Sequence, residues 1–262
     1  MPEPMISIPP STPLNPRKRA ILVGASSGIG AALARRLARE GYTIACLARR
    51  ADMLKSLCDE INQSAGETRA VPYIHDATNY KVVPQLFKDI VTDFGGLDLF
   101  IYCAGISLPT GLKHYDFEKD RATTEANYIG ALAWLNPAAE LFQGLKTGQI
   151  VGISSVAGER GRVGNPSYNA SKAALTCYLE ALRNRLTRHG VHVLTVKPGF
   201  VQTDMVKDAK KLFWVVSPEK AADDVWKAIR KRKQDIYVPA RWRLVMWIVR
   251  LIPSFIFRKM TF

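Results

Sequence analysis

Short runs of apolar residues alternate along this chain with longer stretches whose apolar positions recur every three to four residues. The runs fall at residues 20–23, 43–48, 68–74, 97–103, 149–153, 191–196 and 235–238, and they predict strands. Helical periodicity covers 31–40, 51–63, 80–94, the stretch holding Asn127 and Pro137, a segment opened by Pro166, and 221–233. Pro84 falls in a first turn, where a missing N–H does no harm, whereas Pro137 lies further inside and predicts a kink or a restart. Regular alternation of this kind predicts an α/β fold with a doubly wound parallel sheet of about seven strands, helices on both faces, and the site at the C-terminal edge of the strands.

Length supports one such domain, at 19–240, without a second. Residues 1–18 hold Pro2, Pro4, Pro9, Pro10, Pro13 and Pro16 and no apolar run of signal-peptide length, so a disordered or extended leader is expected there. Four cysteines (Cys46, Cys58, Cys103, Cys177) stand far apart without metal-ligand spacing. They read as small core residues in a reducing compartment, with neither disulfide nor metal expected. The formal charge is +14, and it is uneven: residues 207–262 carry 14 Lys and Arg against 5 Asp and Glu, net +9. Such a field favours nucleic acid, an anionic membrane surface or a phosphorylated substrate. With no RNA-binding aromatic motif and no helix-turn-helix pattern, nucleic acid is not expected as a partner.

Candidate chemistry sits at strand ends. The run at 20–23 leads into Gly24-Ala25-Ser26-Ser27-Gly28-Ile29-Gly30 and then a helix. A glycine turn in that context lets the backbone approach a pyrophosphate at the helix N-terminus, and it predicts a Rossmann-type dinucleotide site. The next strand ends in Ala48-Arg49-Arg50, where an acid would hold the ribose hydroxyls of NAD. Its absence beside two arginines predicts NADP(H), bound chiefly through Arg49 with Arg50 stacking or assisting. The plainer alternative makes the pair only the polar start of the following helix.

The run at 149–153 ends in Ser154-Ser155, a Gly-rich loop follows, and Pro166 opens a helix that carries Tyr168 and Lys172. Four residues apart, these two share a helix face. A nearby fixed charge lowers the pKa of a phenol from its ordinary value of about 10, which makes Tyr168 a candidate general acid, with Ser155 offering a hydroxyl to the same oxygen. By spacing alone the pair reads first as a solvated helix edge; the phosphate turn elsewhere in the chain shifts the reading to chemistry.

The glycine spacing at 24–30, with Asn127, Ser155, Tyr168 and Lys172 in that order, resembles the short-chain dehydrogenase/reductase family over residues 19–238. The resemblance implies an NAD(P)-dependent enzyme that interconverts a ketone and a secondary alcohol. In it Tyr168 gives a proton to the carbonyl oxygen, Ser155 hydrogen-bonds that oxygen, Lys172 binds the nicotinamide ribose and lowers the Tyr168 pKa, and Asn127 orders a water. Further cofactor contacts implied are Asp76 and Ala77 at the adenine, Ala104 and Gly105 beside the ribose, Pro198 and Gly199 closing the site, and Val201 and Thr203 on the carboxamide. A mobile substrate loop is implied at 207–216, and a homo-oligomer. Two departures touch the bracing of the central strands: Val23 replaces a common Thr, and Tyr102-Cys103 replaces Asn-Asn.

The basic, apolar tail at 241–262 has an apolar segment, 244–252, shorter than the roughly 20 residues a bilayer demands, and Arg250 interrupts it. Arg243 and Arg250 share a helix face, and Trp242, Val245, Met246 and Val249 form another, the pattern of a basic interfacial helix. A helix packed over the core or on a second subunit fits equally. The tail, with the loop at Glu159-Arg160, is similar to one branch of the family, reductases like decaprenylphosphoryl 2-keto-pentose reductase that act on a polyprenyl-phosphate-linked keto sugar. That branch lacks the arginine pair. The expectation is therefore an NADPH-dependent reductase of a lipid-linked or long-chain ketone, cytoplasmic and peripheral on the inner face of the membrane. Alternatives are a reductase of soluble, 3-ketoacyl or ketosphingoid ketones, and a dinucleotide-binding protein without turnover.

Overall fold

The computed structural model describes residues 18–206 and 212–260. All seven apolar runs are strands: β1 (Lys18–Val23), β2 (Tyr42–Ala48), β3 (Ala70–Ile74), β4 (Leu99–Tyr102), β5 (Gln149–Ile153), β6 (His192–Pro198) and β7 (Asp235–Val238). They pair in parallel in the order β3-β2-β1-β4-β5-β6-β7. Winding reverses between β1 and β4, so the loops leaving those strands part and open a crevice at the C-terminal edge.

The helices are α1 (Gly28–Arg39), α2 (Ala51–Ala65), α3 (Val83–Asp93), α4 (Phe117–Thr124), α5 (Gly130–Leu145), α6 (Pro166–Leu186), α7 (Pro218–Arg230), α8 (Trp242–Leu251) and the one-turn α9 (Ser254–Phe257). Alternate strand residues feed two cores. Ala20, Leu22, Ile44 and Cys46 pack with α1, α2 and α7, while Ile21, Val23, Ala45 and Leu47 pack with α3, α5 and α6. Cover on both faces is why the strands read as unbroken apolar runs.

Two expectations are corrected. Pro137 does not restart its helix but lies inside a continuous α5. The hydrogen bond it removes is outweighed by its neighbours Trp134, Leu135, Ala138 and Phe142, all fully buried. The irregularity comes earlier, as a π-helical turn at Glu125–Ile129 that carries Asn127. Cys46 and Cys58 are core residues, but Cys103 is only partly buried and Cys177 is exposed, because the inward face of α6 is taken by Leu175, Leu179 and Leu182.

The tail differs too. Trp242 and Met246, with Val245 and Val249, pack on Val156, Tyr237 and Phe200, so the face assigned to an interface covers the protein's own core. A second apolar strip, Leu244, Trp247, Ile248 and Leu251, is the exposed one. Arg243 donates to the Asp235 carbonyl and Arg250 lies 3.4 Å from Glu159. Among the described residues no helix is long and apolar enough to cross a membrane. Most of the leader and residues 207–211 of the substrate loop lie outside the described residues; Lys18 opens β1.

Candidate active site

The turn after β1 is shaped by contacts that only glycine permits. Gly24 has φ +94°, and a Cβ there would stand 2.4 Å from the Ala104 backbone nitrogen. Gly28 has φ +54°, and its Cβ would meet Thr203 at 2.8 Å. Ile29 and Gly30 continue into the first turn of α1, whose N-terminus no side chain caps, so its leading N–H groups and dipole remain for an anion. This is a cradle that fits a dinucleotide pyrophosphate.

Arg50, rather than Arg49, reaches over the cradle. Its guanidinium donates to the Ser26 hydroxyl at 3.1 Å and to Ser27, and lies 3.8 Å from Asp204. Arg49 instead pairs with Asp76 at 3.6 Å. Asp76 also accepts from the backbone and hydroxyl of Thr78, at 2.9 and 2.8 Å, beside Ala77.

Across the crevice, β5 presents two serines with different duties. Ser154 donates to the Lys172 carbonyl and contacts Thr176, locking strand to helix. Ser155 turns the other way: its hydroxyl points to the Pro198 carbonyl at 3.4 Å, accepts from the Ala157 N–H at 3.0 Å, and acts electrostatically on the Tyr168 phenol. The helix bearing that phenol starts where expected: Pro166 occupies the first turn and Asn165 caps it, accepting from the Tyr168 N–H at 3.3 Å.

Electrostatics depart from the simple pairing of Tyr168 with Lys172. Burial pushes the Tyr168 phenol above its ordinary value, while the neighbouring Ser155 hydroxyl and the positive charge of Arg162 pull it back. Lys172 is 4% exposed, and burial draws its ammonium down to about 8. Its Nζ donates to the Ile153 carbonyl at 2.9 Å and stands 5.9 Å from the Tyr168 ring centre. Arg162 is thus a further cation that acts on the phenol, beside Lys172. Sequence spacing missed Arg162 because it sits on the loop six residues before Tyr168, where no helical periodicity relates the two.

Asn127 is fully buried, and its side chain is committed. Both amide protons go to the Ile106 carbonyl and Ser171, at 3.0 and 3.1 Å, and Oδ1 accepts from the Ile106 N–H at 2.7 Å. The side chain thus fixes the strand-end loop instead of presenting donors to a water. Gly105 lies against it: a Cβ there would come within 3.1 Å of Asn127 Oδ1 and 3.2 Å of Lys172 Nζ. Bracing at the departure from the usual strand-end pattern comes from Tyr102, whose buried hydroxyl donates to the Ala126 carbonyl at 2.7 Å and ties β4 to the π turn.

The loop after β6 closes the site. The Gly199 N–H donates to the Val238 carbonyl at 2.8 Å, and a Cβ at Gly199 would stand 2.0 Å from Trp242 Nε1. Val201 bridges to Val216, and Thr203 rests at the glycine turn. Phe200 and Trp214 meet Trp242 edge-on, with ring centres 5.8 and 5.5 Å away. The tail helix therefore buttresses the loop expected to hold the nicotinamide.

Comparison with known proteins agrees with this architecture. A family model described as short chain dehydrogenase matches residues 18–212. An uncharacterized oxidoreductase of Myxococcus xanthus is 37% identical over 188 residues, 72% of this chain and 74% of its own length. Ketoacyl reductase HetN of a Nostoc species is 31% identical over 227 residues, 84% of this chain and 78% of its own. Among solved structures, an actinorhodin polyketide ketoreductase variant with NADPH superposes with a TM-score of 0.77 at 25% identity, covering 85% of this chain and 95% of that one.

Proposed function

This chain belongs to the short chain dehydrogenase family, and we propose that it is an NADPH-dependent reductase that converts a ketone on a lipid-linked or long-chain molecule into a secondary alcohol. The observation that carries the reading is the convergence of Ser155 and Tyr168 beside a glycine-lined cradle, with Lys172 buried next to them. A reduced nicotinamide bound in that cradle supplies a hydride to the carbonyl carbon.

Tyr168 gives its proton to the carbonyl oxygen while the Ser155 hydroxyl holds that oxygen in place. Because burial keeps the phenol above its ordinary value, Tyr168 remains protonated at neutral pH, the state reduction requires. Lys172 keeps its charge in the same range and has donors beyond its bond to Ile153 with which to hold a ribose. Asn127 acts as a positioning residue through Ile106.

Preference for NADPH is supported by the absence of an acid at the end of β2 and by Arg50 over Ser26 and Ser27, with Arg49 close by on Asp76. An apolar substrate is supported by the exposed Leu112, Tyr115, Met205, Phe213 and Trp214 on the loops that leave β4 and β6. Exposed Leu244, Trp247 and Leu251, with a basic tail around them, support peripheral contact with an anionic membrane. A second reading, reduction of a 3-ketoacyl thioester without membrane contact, is favoured by the names of two relatives, a ketoacyl and a polyketide ketoreductase.

Following NADPH oxidation by the purified protein with lipid-linked keto sugars and with 3-ketoacyl thioesters separates the two. Turnover of thioesters alone, with no sedimentation on anionic liposomes, selects the second. Tyr168→Phe must abolish turnover of whichever substrate is accepted.

A further inference from the structure

The Gly-rich loop between β5 and α6, together with α9, encloses a cavity of about 780 Å3, within the size range of small-ligand sites. It lies beside the catalytic crevice: Asn169, Ala170 and Ala173 line it, and Tyr168 and Lys172 do not. Three arginines, Arg160, Arg162 and Arg258, face it with a single carboxylate, Glu159.

Two of those four charged groups are already used. Glu159 is bound by Lys197 Nζ at 2.8 Å and the Tyr237 hydroxyl at 2.9 Å, with Arg250 at 3.4 Å. Arg160 donates to the Val249 and Ile252 carbonyls, both at 2.6 Å, and covers the Phe257 ring at 3.9 Å. Arg162 and Arg258 have no carboxylate partner among the described residues. Arg162 is partly buried, so its unpaired charge costs free energy that a bound anion would offset.

We propose that this cavity takes the phosphate group of an amphiphilic phosphate ester, gripped by Arg162 and Arg258, with the adjoining apolar chain against Val163, Phe257 and Met260. Guanidinium forks match phosphate oxygens, and the rest of the lining is largely apolar. The ligand is the substrate itself, because the cavity is lined by Asn169, the residue after Tyr168 on α6, which places a bound phosphate close to the helix turn that carries the reacting phenol. The proposal deepens the reading above and rests on it for the identity of that ligand as substrate. A phosphate on Arg162 offsets its charge and so helps Tyr168 keep the proton it must donate.

Calorimetric titration of the NADPH complex with decyl phosphate tests this, with decanol, inorganic phosphate and phosphatidylglycerol vesicles as further arms. The wild type binds decyl phosphate more tightly than decanol or inorganic phosphate. Arg162→Gln and Arg258→Gln each weaken it by about tenfold, the loss of one charge-assisted hydrogen bond. Arg243→Gln, on the tail but outside the cavity, changes nothing, and unaltered NADPH affinity certifies that the variants fold. Equal binding of decyl phosphate by wild type and the double variant overturns the proposal, as does binding of vesicles alone with no response to the single alkyl phosphate. The titration needs no turnover: Tyr168→Phe retains the ligand, and an active reductase that ignores decyl phosphate refutes the cavity while leaving the reductase reading intact.

Discussion

Replacing Lys172 by Met should stabilise the cofactor-free protein at neutral pH while destroying activity. Burial draws the ammonium from 10.5 to about 8. At about 1.4 kcal/mol per pH unit, that gap sets a cost on the order of 3 kcal/mol for keeping the charge buried. Between pH 8 and 10.5 the unfolded chain holds the proton more tightly than the folded one, so the wild type gains stability as pH rises through that window and carries the full cost below it. Met fills similar volume without charge but leaves the Ile153 carbonyl without its donor, a loss of about 1 kcal/mol. The net gain expected at pH 7 is therefore on the order of 2 kcal/mol, shrinking above pH 8 and reversing sign at about pH 10, where the neutral amine still donates. Urea melts of both proteins across this range give the difference directly, and other titrating groups cancel in the comparison. A difference that stays constant with pH would refute the claim that Lys172 is a buried cation with a depressed pKa.

Other expectations follow from the same geometry. Tyr168→Phe should lose turnover yet bind NADPH with unchanged affinity by fluorescence titration, and weakened binding would mean that the phenol serves the cofactor instead of the proton. Arg50→Ala should raise KM for NADPH about tenfold or more and leave NADH nearly unaffected, the loss of a charge-assisted contact to phosphate, with Arg49→Ala the smaller effect; the reverse order would restore Arg49 as the chief contact. Since Arg162 pulls the phenol pKa down, Arg162→Gln should move the alkaline limb of the kcat/KM profile to higher pH, and an unmoved limb would remove Arg162 from the site's electrostatics. Trp242 is 8% exposed, and its Nε1 has no hydrogen-bond partner among the described residues. Trp242→Phe should cost little, whereas Trp242→Ala should lose about 3–5 kcal/mol in chemical melts and raise KM for NADPH through the Gly199 loop.

Sheet, helix order and the two strand-end motifs were legible in the chain because they rest on local rules. The apolar runs of the strands, the positive φ of Gly24 and Gly28, and a proline-started helix that sets Tyr168 and Lys172 on one face are each written in a few consecutive residues. Charge and side-chain partnership across loops do not. Only the folded chain placed Arg50 over the serines with Arg49 drawn to Asp76, turned the Asn127 amide onto Ile106, and set Arg162 beside the phenol while Lys172 pointed to Ile153. The tail shows the same division. Its amphipathic repeat marked a helix, but which apolar strip would meet the core was decided by the pocket that Val156, Phe200 and Tyr237 offered to Trp242, contacts that for Val156 and Phe200 join residues forty to ninety apart and leave no periodic trace.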